Sequence, residues 1–203
     1  VTVYAETCPQ YFTLDVSQYA EADGAKFVMS PPLREARDRA AILDGMRKKD
    51  IDFIGTDHCS FTMAQKAMGK DDFSKIPNGG AGVQNRAELV YTYAVRTGAI
   101  TLEQMALLMS ERAARLFGMY PKKGVLRTGS DADIVVFDPN DVHTISWKTN
   151  LHACDNSPYE GMKALGRTRD VILNGELVVE NGSLIAPYRG RYVFRKPIEG
   201  YRK

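Results

Sequence analysis

The spacing of apolar positions along this chain changes several times, and each change marks an element. Residues 1–5 alternate apolar and polar, as a half-buried strand does, and the pattern breaks at Cys8-Pro9. Lys26-Phe27-Val28-Met29-Ser30 is a second short apolar run, predicted as a strand and stopped by Pro31-Pro32. The two proline rings fix φ and remove amide donors, so a ladder cannot continue through them. From residue 35 to 48 the period lengthens, and Ile42, Leu43 and Met46 share one face of a predicted helix. Residues 51–54 form a third apolar run, which ends abruptly in Gly55-Thr56-Asp57-His58-Cys59. The order strand, helix, strand predicts a parallel pair with a right-handed crossover, helix outside and strands inside.

A long polar stretch follows from 62 to 82, punctuated by Lys70-Asp71-Asp72 and Asn78-Gly79-Gly80-Ala81-Gly82. A loop of that length in a compact domain is usually functional or mobile. Two helices are predicted next. The first covers 84–97 and stops at Gly98; the second opens with the capping box Thr101-Leu102-Glu103-Gln104. In the second, Met105, Leu108, Met109, Ala113, Leu116 and Phe117 fall on one face, up to Gly118. Beyond Gly124 the texture becomes that of short strands. Ile134-Val135-Val136-Phe137 is closed by Asp138-Pro139, and strands at 170–173 and 176–180 flank Asn174-Gly175, a strong hairpin signal. Asn181-Gly182 leads into a last strand at 183–186. These patterns divide the chain into residues 1–120, an antiparallel β module over 121–187, and an extended tail over 188–203 that needs a partner surface to be ordered.

Composition narrows the function classes. Apolar residues make up 44% and charged residues 26%, ordinary values for a globular protein, and the formal charge of +2 argues against nucleic acid or an anionic membrane as partner. The basic tail, with Arg189, Arg191, Arg195 and Lys196, therefore reads as a subunit contact. Cys8, Cys59 and Cys154 are odd in number and form no CxxC pair, which predicts reduced thiols and a cytoplasmic setting. No apolar run approaches the roughly 20 residues that span a bilayer, and no signal-peptide pattern is visible. The chain begins in a strand-like pattern without an initiator Met, and the expectation is a piece of a longer protein.

Asp57 is the candidate for chemistry, because a buried parallel strand delivers polar side chains at its C-terminal end. An Asp after a strand is more often a turn or helix cap. What shifts the balance is the set of motifs around it. Glu6-Thr-Cys-Pro-Gln-Tyr11, Ser30-Pro-Pro-Leu-Arg34, Gly55-Thr-Asp-His-Cys59, Ile76-Pro-Asn-Gly-Gly80, Leu116-Phe-Gly-Met-Tyr-Pro121, Gly129-Ser-Asp-Ala-Asp133 and Tyr159-Glu-Gly161 occur in order over essentially the whole chain. Together they resemble the C-terminal part of a dihydropyrimidinase or D-hydantoinase, cyclic amidohydrolases of the metal-dependent amidohydrolase superfamily.

The resemblance implies an α/β fold: the C-terminal part of a (β/α)8 barrel followed by a small antiparallel β-sandwich module. It implies hydrolysis of a cyclic ureide or imide to an N-carbamoyl amino acid at a site of two divalent metal ions, usually zinc. Asp57 matches the family's metal ligand and proton carrier, and Ser30 and Asn78 match positions that hold the planar –NH–CO– edge of the substrate, largely through main-chain groups. The family's other ligands, a His-x-His, a carboxylated lysine and two histidines, have no match among His58, His143 and His152. They are expected upstream of Val1, so these residues alone are expected to hydrolyse nothing. Expected partners are a homo-oligomer, commonly a tetramer, or the missing N-terminal part. His58 is expected to be a structural hydrogen-bonder, Cys59 to be packed, and His152 to make a loop or subunit contact. Two alternatives stay open: a non-catalytic dihydropyrimidinase-related scaffold, and an allantoinase-like sister enzyme.

Overall fold

The computed structural model describes residues 2–187 and 190–197. Its element order is β1 (Glu6–Thr7), α1 (Gln10–Thr13), α2 (Ala36–Lys48), β2 (Phe53–Ile54), α3 (Met63–Lys66), α4 (Arg86–Val90), α5 (Leu102–Ala106), α6 (Arg112–Leu116), β3 (Ile134–Thr144), β4 (Lys163–Leu173), β5 (Glu176–Glu180) and β6 (Ser183–Leu184), with short 3-10 and π turns between them.

The parallel pair exists, but its partners differ from the expected ones. β2 pairs with β1, in register Glu6 to Phe53 and Thr7 to Ile54. The first strand begins at Glu6, whereas the alternating pattern placed it over 1–5; residues 2–5 lie outside any strand and Val1 lies outside the described residues. The run 26–30 is not a strand. Its first half closes a 3-10 helix, Gly24–Phe27, and Val28 turns its carbonyl to the Gly79 amide at 3.0 Å rather than to a neighbouring strand. The local 3-10 hydrogen bonds, Lys26 to Asp23 at 3.0 Å and Val28 to Ala25 at 3.1 Å, win over the β-branched preference.

Helix α2 forms as its periodicity predicts. Glu35 and Asp38 make a reciprocal capping box, and Lys49 ends the helix in a left-handed conformation. Met46 is 1% exposed, while Ile42 and Leu43 pack at the margin of the same core. That core joins Phe12, Met46, Ile51, Ile54, Val90 and Leu108. A second core gathers Phe27, Met29, Leu33 and Leu89 with Ile145, Tyr159 and Ala164, which come from the β-rich half. Leu89 and Val90 are adjacent and both fully buried, so α4 is a wall with one core on each side. The carbonyls of β2's flanks are taken by arginines from the helices: Arg112 donates to Ile51 O and Arg86 to Ile54 O, both at 3.0 Å.

Both long helices depart from ideal geometry: α4 runs out through a π turn at Tyr91–Val95, and a π turn at Leu107–Glu111 lies between α5 and α6. A π turn inserts one residue and shifts the buried face beyond it by one position. This is why Ala114, at 4% exposure, is buried where the simple period pointed to Ala113.

The β-rich half is a four-stranded sheet in order β3-β4-β5-β6, antiparallel throughout. The Asn174-Gly175 turn has φ of 50° and 85°, the two positive values a tight hairpin turn needs. β3 runs on past Pro139, which was expected to close it. The ladder breaks between Asp138 and Val142 and then resumes, so the proline sits in a bulge where its missing amide is not required. β4 is likewise longer than the 170–173 expected, starting at Lys163, and β6 stops at Leu184 instead of residue 186. Of the tail, residues 190–197 join no strand or helix, and the Lys196 amide donates to Gly118 O at 2.8 Å; 188, 189 and 198–203 lie outside the described residues. No described helix is long and apolar enough to cross a membrane.

Candidate active site

Both short parallel strands end at the same place. After Ile54 the chain leaves the ladder with Gly55 N donating to Thr7 O at 2.9 Å, and three residues later Asp57 stands exposed at the rim. Its φ is 48°, the left-handed region that Asp tolerates better than most residues. Asp57 therefore does not continue the strand. It sits in a left-handed turn just past the strand end, lining a pocket. Its carboxylate makes no hydrogen bond or ion pair among the described residues.

Two more segments come to this turn. Cys59 N donates to Gly80 O at 3.1 Å, and His58 and Gly80 form an isolated parallel bridge. Gly79 has φ 146°, and a Cβ there would lie 2.3 Å from the Cys59 carbonyl oxygen, so only glycine allows the loop this close. The 77–80 segment in turn holds the 28–30 segment, through Gly79 N to Val28 O and through Ser30 Oγ, which donates to Asn78 Oδ1 at 3.2 Å. Ser30 and Asn78, far apart in sequence, are thus neighbours. Asp57, Met29 and Gly80 line one pocket with Gln10, Thr56 and Tyr159. Ser30 and Asn78 lie one and two residues from that lining and are exposed.

The electrostatics around Asp57 are those of a concentrated negative field. Burial, and then the Asp57 carboxylate, raise the pKa of Glu6. The Cys8 thiol is pushed up to about 12 by burial, then by Glu6 and Asp57. Tyr11 also rises to about 12, mainly through burial, with Asp57 as one of the lesser contributors. Thiol and phenol are therefore protonated at neutral pH. An exposed carboxylate without a bonding partner among the described residues, with Glu6 beside it, suits one ligand position on a cation. No group of three or more His, Cys, Asp or Glu that could hold a metal ion occurs among the described residues, so Asp57 would be one ligand of a set these residues do not complete.

The remaining candidates fall out differently. His58 Nδ1 accepts from the amides of Gly82 at 3.0 Å and Val83 at 3.3 Å, which fixes the 80–83 turn. Cys59, expected to be packed, is exposed: its amide is spent on the Gly80 carbonyl at the rim and its side chain is left at the surface. His152 lies in the loop between β3 and β4, edge-on to His58 with ring centroids 5.9 Å apart, and burial keeps its pKa below the ordinary value. The stretch 62–82 is not a featureless loop: it holds α3 and two 3-10 turns.

Sequence reasoning missed two features. Tyr159, 1% exposed, donates to Gln10 Oε1 at 3.1 Å and forms the pocket's back wall; both residues sit in the recognised motifs, but nothing in their spacing paired them. Lys66 is also 1% exposed, its ammonium enclosed by three main-chain carbonyls. An isolated lysine in Met-Ala-Gln-Lys carries no sequence signal for such burial.

With the site's geometry in hand, comparison with known proteins is informative. The Amidohydrolase family profile matches residues 8–178. A D-hydantoinase from Geobacillus stearothermophilus is 41% identical over 199 residues, which is 96% of this chain and 42% of that protein. A D-phenylhydantoinase from an Escherichia coli O1:K1 strain is 42% identical over 197 residues, 96% of this chain and 43% of its own length. Among solved structures, a D-hydantoinase from Bacillus sp. AR9 superposes with a TM-score of 0.95 at 42% identity, covering 98% of this chain and 44% of that one. A dihydropyrimidinase from Brevibacillus agri gives 0.88 at 42% identity, with 90% and 40% covered. The chain thus spans less than half the length of these relatives.

Proposed function

The chain belongs to the amidohydrolase family, and from that premise we propose that its residues serve, within a longer protein, a hydrolase that opens cyclic amide rings such as dihydropyrimidines or hydantoins to N-carbamoyl amino acids. The observation that carries this reading is Asp57: an exposed carboxylate without hydrogen-bond or ion-pair partner among the described residues, held in a left-handed turn where two parallel strands end. Barrel enzymes of the α/β class keep their chemistry at that end of the strands. The fold we infer is the last part of a (β/α)8 barrel with a small β-sandwich module, and the assembly is a homo-oligomer, a tetramer by resemblance.

In this reading Asp57 is one ligand to a pair of divalent ions, zinc by resemblance, and supplies the proton path. When bound, such ions make a water nucleophilic near neutral pH. The chain's own residues do the rest. Asp57 takes the proton of the attacking water as the ring carbonyl becomes tetrahedral. It returns that proton to the leaving amide nitrogen as the C–N bond breaks. Ser30 and Asn78, brought side by side at the rim, present main-chain groups to the planar –NH–CO– edge of the ring. Their own side chains satisfy each other, which leaves those main-chain groups for the substrate. Met29 and Tyr159 form the apolar wall behind it.

The test is a comparison of the full-length protein with its Asp57→Ala variant, by metal analysis and by hydrolysis of hydantoin and dihydrouracil. Loss of metal and of activity together is the expected result. A variant with full metal content and unchanged turnover would overturn the assignment. The 203 residues produced alone hydrolyse neither substrate on this reading, and measurable turnover by them would contradict it.

A further inference from the structure

Lys66 has a role in the same site that neither its sequence context nor the family resemblance assigns. Its Nζ lies 2.8 Å from Val28 O, 2.6 Å from Pro77 O and 2.8 Å from Gly79 O. An ammonium has three donors, and here all three are used on main-chain carbonyls. None of the ion pairs among the described residues includes Lys66, so its charge is held by peptide dipoles rather than by a carboxylate. A buried ammonium is costly, and a methionine of similar length would fill the space without that cost. Something must therefore follow from the three bonds themselves.

What they join is specific. Val28 lies two residues before Ser30, and Pro77 and Gly79 are the immediate neighbours of Asn78. Val28 O also accepts from Gly79 N at 3.0 Å, so both its lone pairs serve the same junction. Apart from this bond and the Ser30–Asn78 side-chain contact, Lys66 is the clamp that sets how far apart the two segments stand.

We propose that Lys66 is a positioning residue for ring recognition, its ammonium fixing the spacing of the Ser30 and Asn78 main chains and so the width of the slot that takes the planar –NH–CO– edge. This deepens the reading of Ser30 and Asn78 as substrate contacts and rests on it. The slot acts on ground state and transition state alike, so its loss weakens binding more than turnover. Lys66 is 1% exposed, and that burial lowers its pKa to about 8.

The experiment uses the full-length protein with Lys66→Met, read by amide hydrogen exchange over residues 76–80, by steady-state kinetics on hydantoin and dihydrouracil, and by metal content. Expected are faster exchange at 78–80, a KM raised about tenfold, in line with losing a charged hydrogen bond, a kcat changed less than about threefold, and unaltered metal. Lys66→Gln, which keeps two of the three donors, should give a smaller rise in KM and serves in the same assays if Lys66→Met does not fold. Unchanged exchange at 78–80 would overturn the clamp itself. Faster exchange with unchanged KM would also overturn the proposal, and would place the fault in the reading of Ser30 and Asn78. A fall in melting temperature with exchange and KM untouched would leave Lys66 a packing residue and refute the role.

Discussion

The turn around Asp57 and the antiparallel sheet are held together by opposite means. In the sheet, β3 to β6 follow one another in sequence and in space, and main-chain ladders do most of the joining. Around Asp57 the ladder is two residues long. There the main chain is gathered by side chains reaching across the sequence: Lys66 to three carbonyls, Arg86 and Arg112 to the β2 flanks, His58 to two amides, Asn156 to Phe61 O at 2.8 Å. The sheet tolerates change because each residue contributes a little through its backbone. The turn is sensitive because it hangs on a few side chains, of which Lys66 holds three main-chain groups and His58 two. The difference also fits the reading proposed for the turn: a ladder holds strands in register, whereas side-chain clamps hold irregular loops in one geometry, as a binding site requires.

The sharpest way to test that contrast is at Asp57, where chemistry and stability separate. In the full-length protein, Asp57→Asn should cut hydrolysis by about 10³-fold or more, within the range for a removed proton carrier, as measured with hydantoin. Its exposed carboxylate carries no bond to lose, so stability by urea titration should change by less than about 0.5 kcal/mol.

Next in size is Tyr159, the residue through which the sheet's connecting loop enters the second core. Tyr159→Ala should cost about 3–5 kcal/mol, as large aromatic deletions in cores do. Tyr159→Phe keeps the packing and should cost only about 1 kcal/mol for the bond to Gln10. A Tyr159→Ala variant as stable as the parent would mean that Tyr159 does not anchor the core the two halves share.

A smaller effect is expected from pH. The Lys66 pKa is lowered to about 8 in the folded chain, against 10.5 for an ordinary lysine. Between those values the unfolded chain binds more protons, so the stability of the parent should rise with pH relative to Lys66→Met. Below about 8 the cost of burying the charge is fully present and the difference is flat. Cys8 works in the opposite sense: its thiol is raised to about 12, so the unfolded chain ionises first and the thiol's contribution falls above roughly pH 9. Because Cys8 is common to both proteins, the difference between their urea midpoints isolates Lys66. A parent whose stability relative to Lys66→Met falls or stays constant from pH 8 to 10.5 would contradict the burial of its ammonium. Smallest of all, Val135→Thr on the exposed face of β3, where the valine is 57% exposed, should shift stability by no more than about 0.5 kcal/mol. A larger loss there would erase the contrast between ladder and clamp.

The same contrast explains which parts of the structure were legible in the sequence. The α2 helix, the Asn174-Gly175 hairpin and the Thr101 capping box are local, and their residues announce them. The 26–30 run was misleading because local 3-10 bonds claim its first half, and Lys66 and Gly79, both about 40 residues or more away, claim the Val28 carbonyl. Pro139 misled because a bulge removes the need for the amide it lacks. Ala114 replaced Ala113 because a π turn is invisible to a fixed period. Of the candidate site, the motifs singled out Asp57, Ser30 and Asn78, and the structure brings the last two into contact. Lys66 and the Tyr159–Gln10 pair escaped because their significance lies in partners that only folding supplies. The half-buried link of Glu88 with His143, at 3.1 Å, and of His143 with Asp141, at 2.6 Å, escaped for the same reason.

The left-handed backbone of Asp57 bears on how genetic variation at this position would be read. Of the residues one base change from an aspartate codon, asparagine and glycine adopt that conformation readily, whereas alanine, valine, tyrosine, histidine and glutamate resist it to differing degrees. A saturation library selected for activity and one selected for folding would therefore rank the alleles differently. Asparagine and glycine would survive the folding screen and fail the activity screen, while glutamate, which keeps the charge, would be penalised by the main chain instead. Position 57 is thus under two separable selections, and a scan that reads only one of them would mistake a conformational demand for a chemical one.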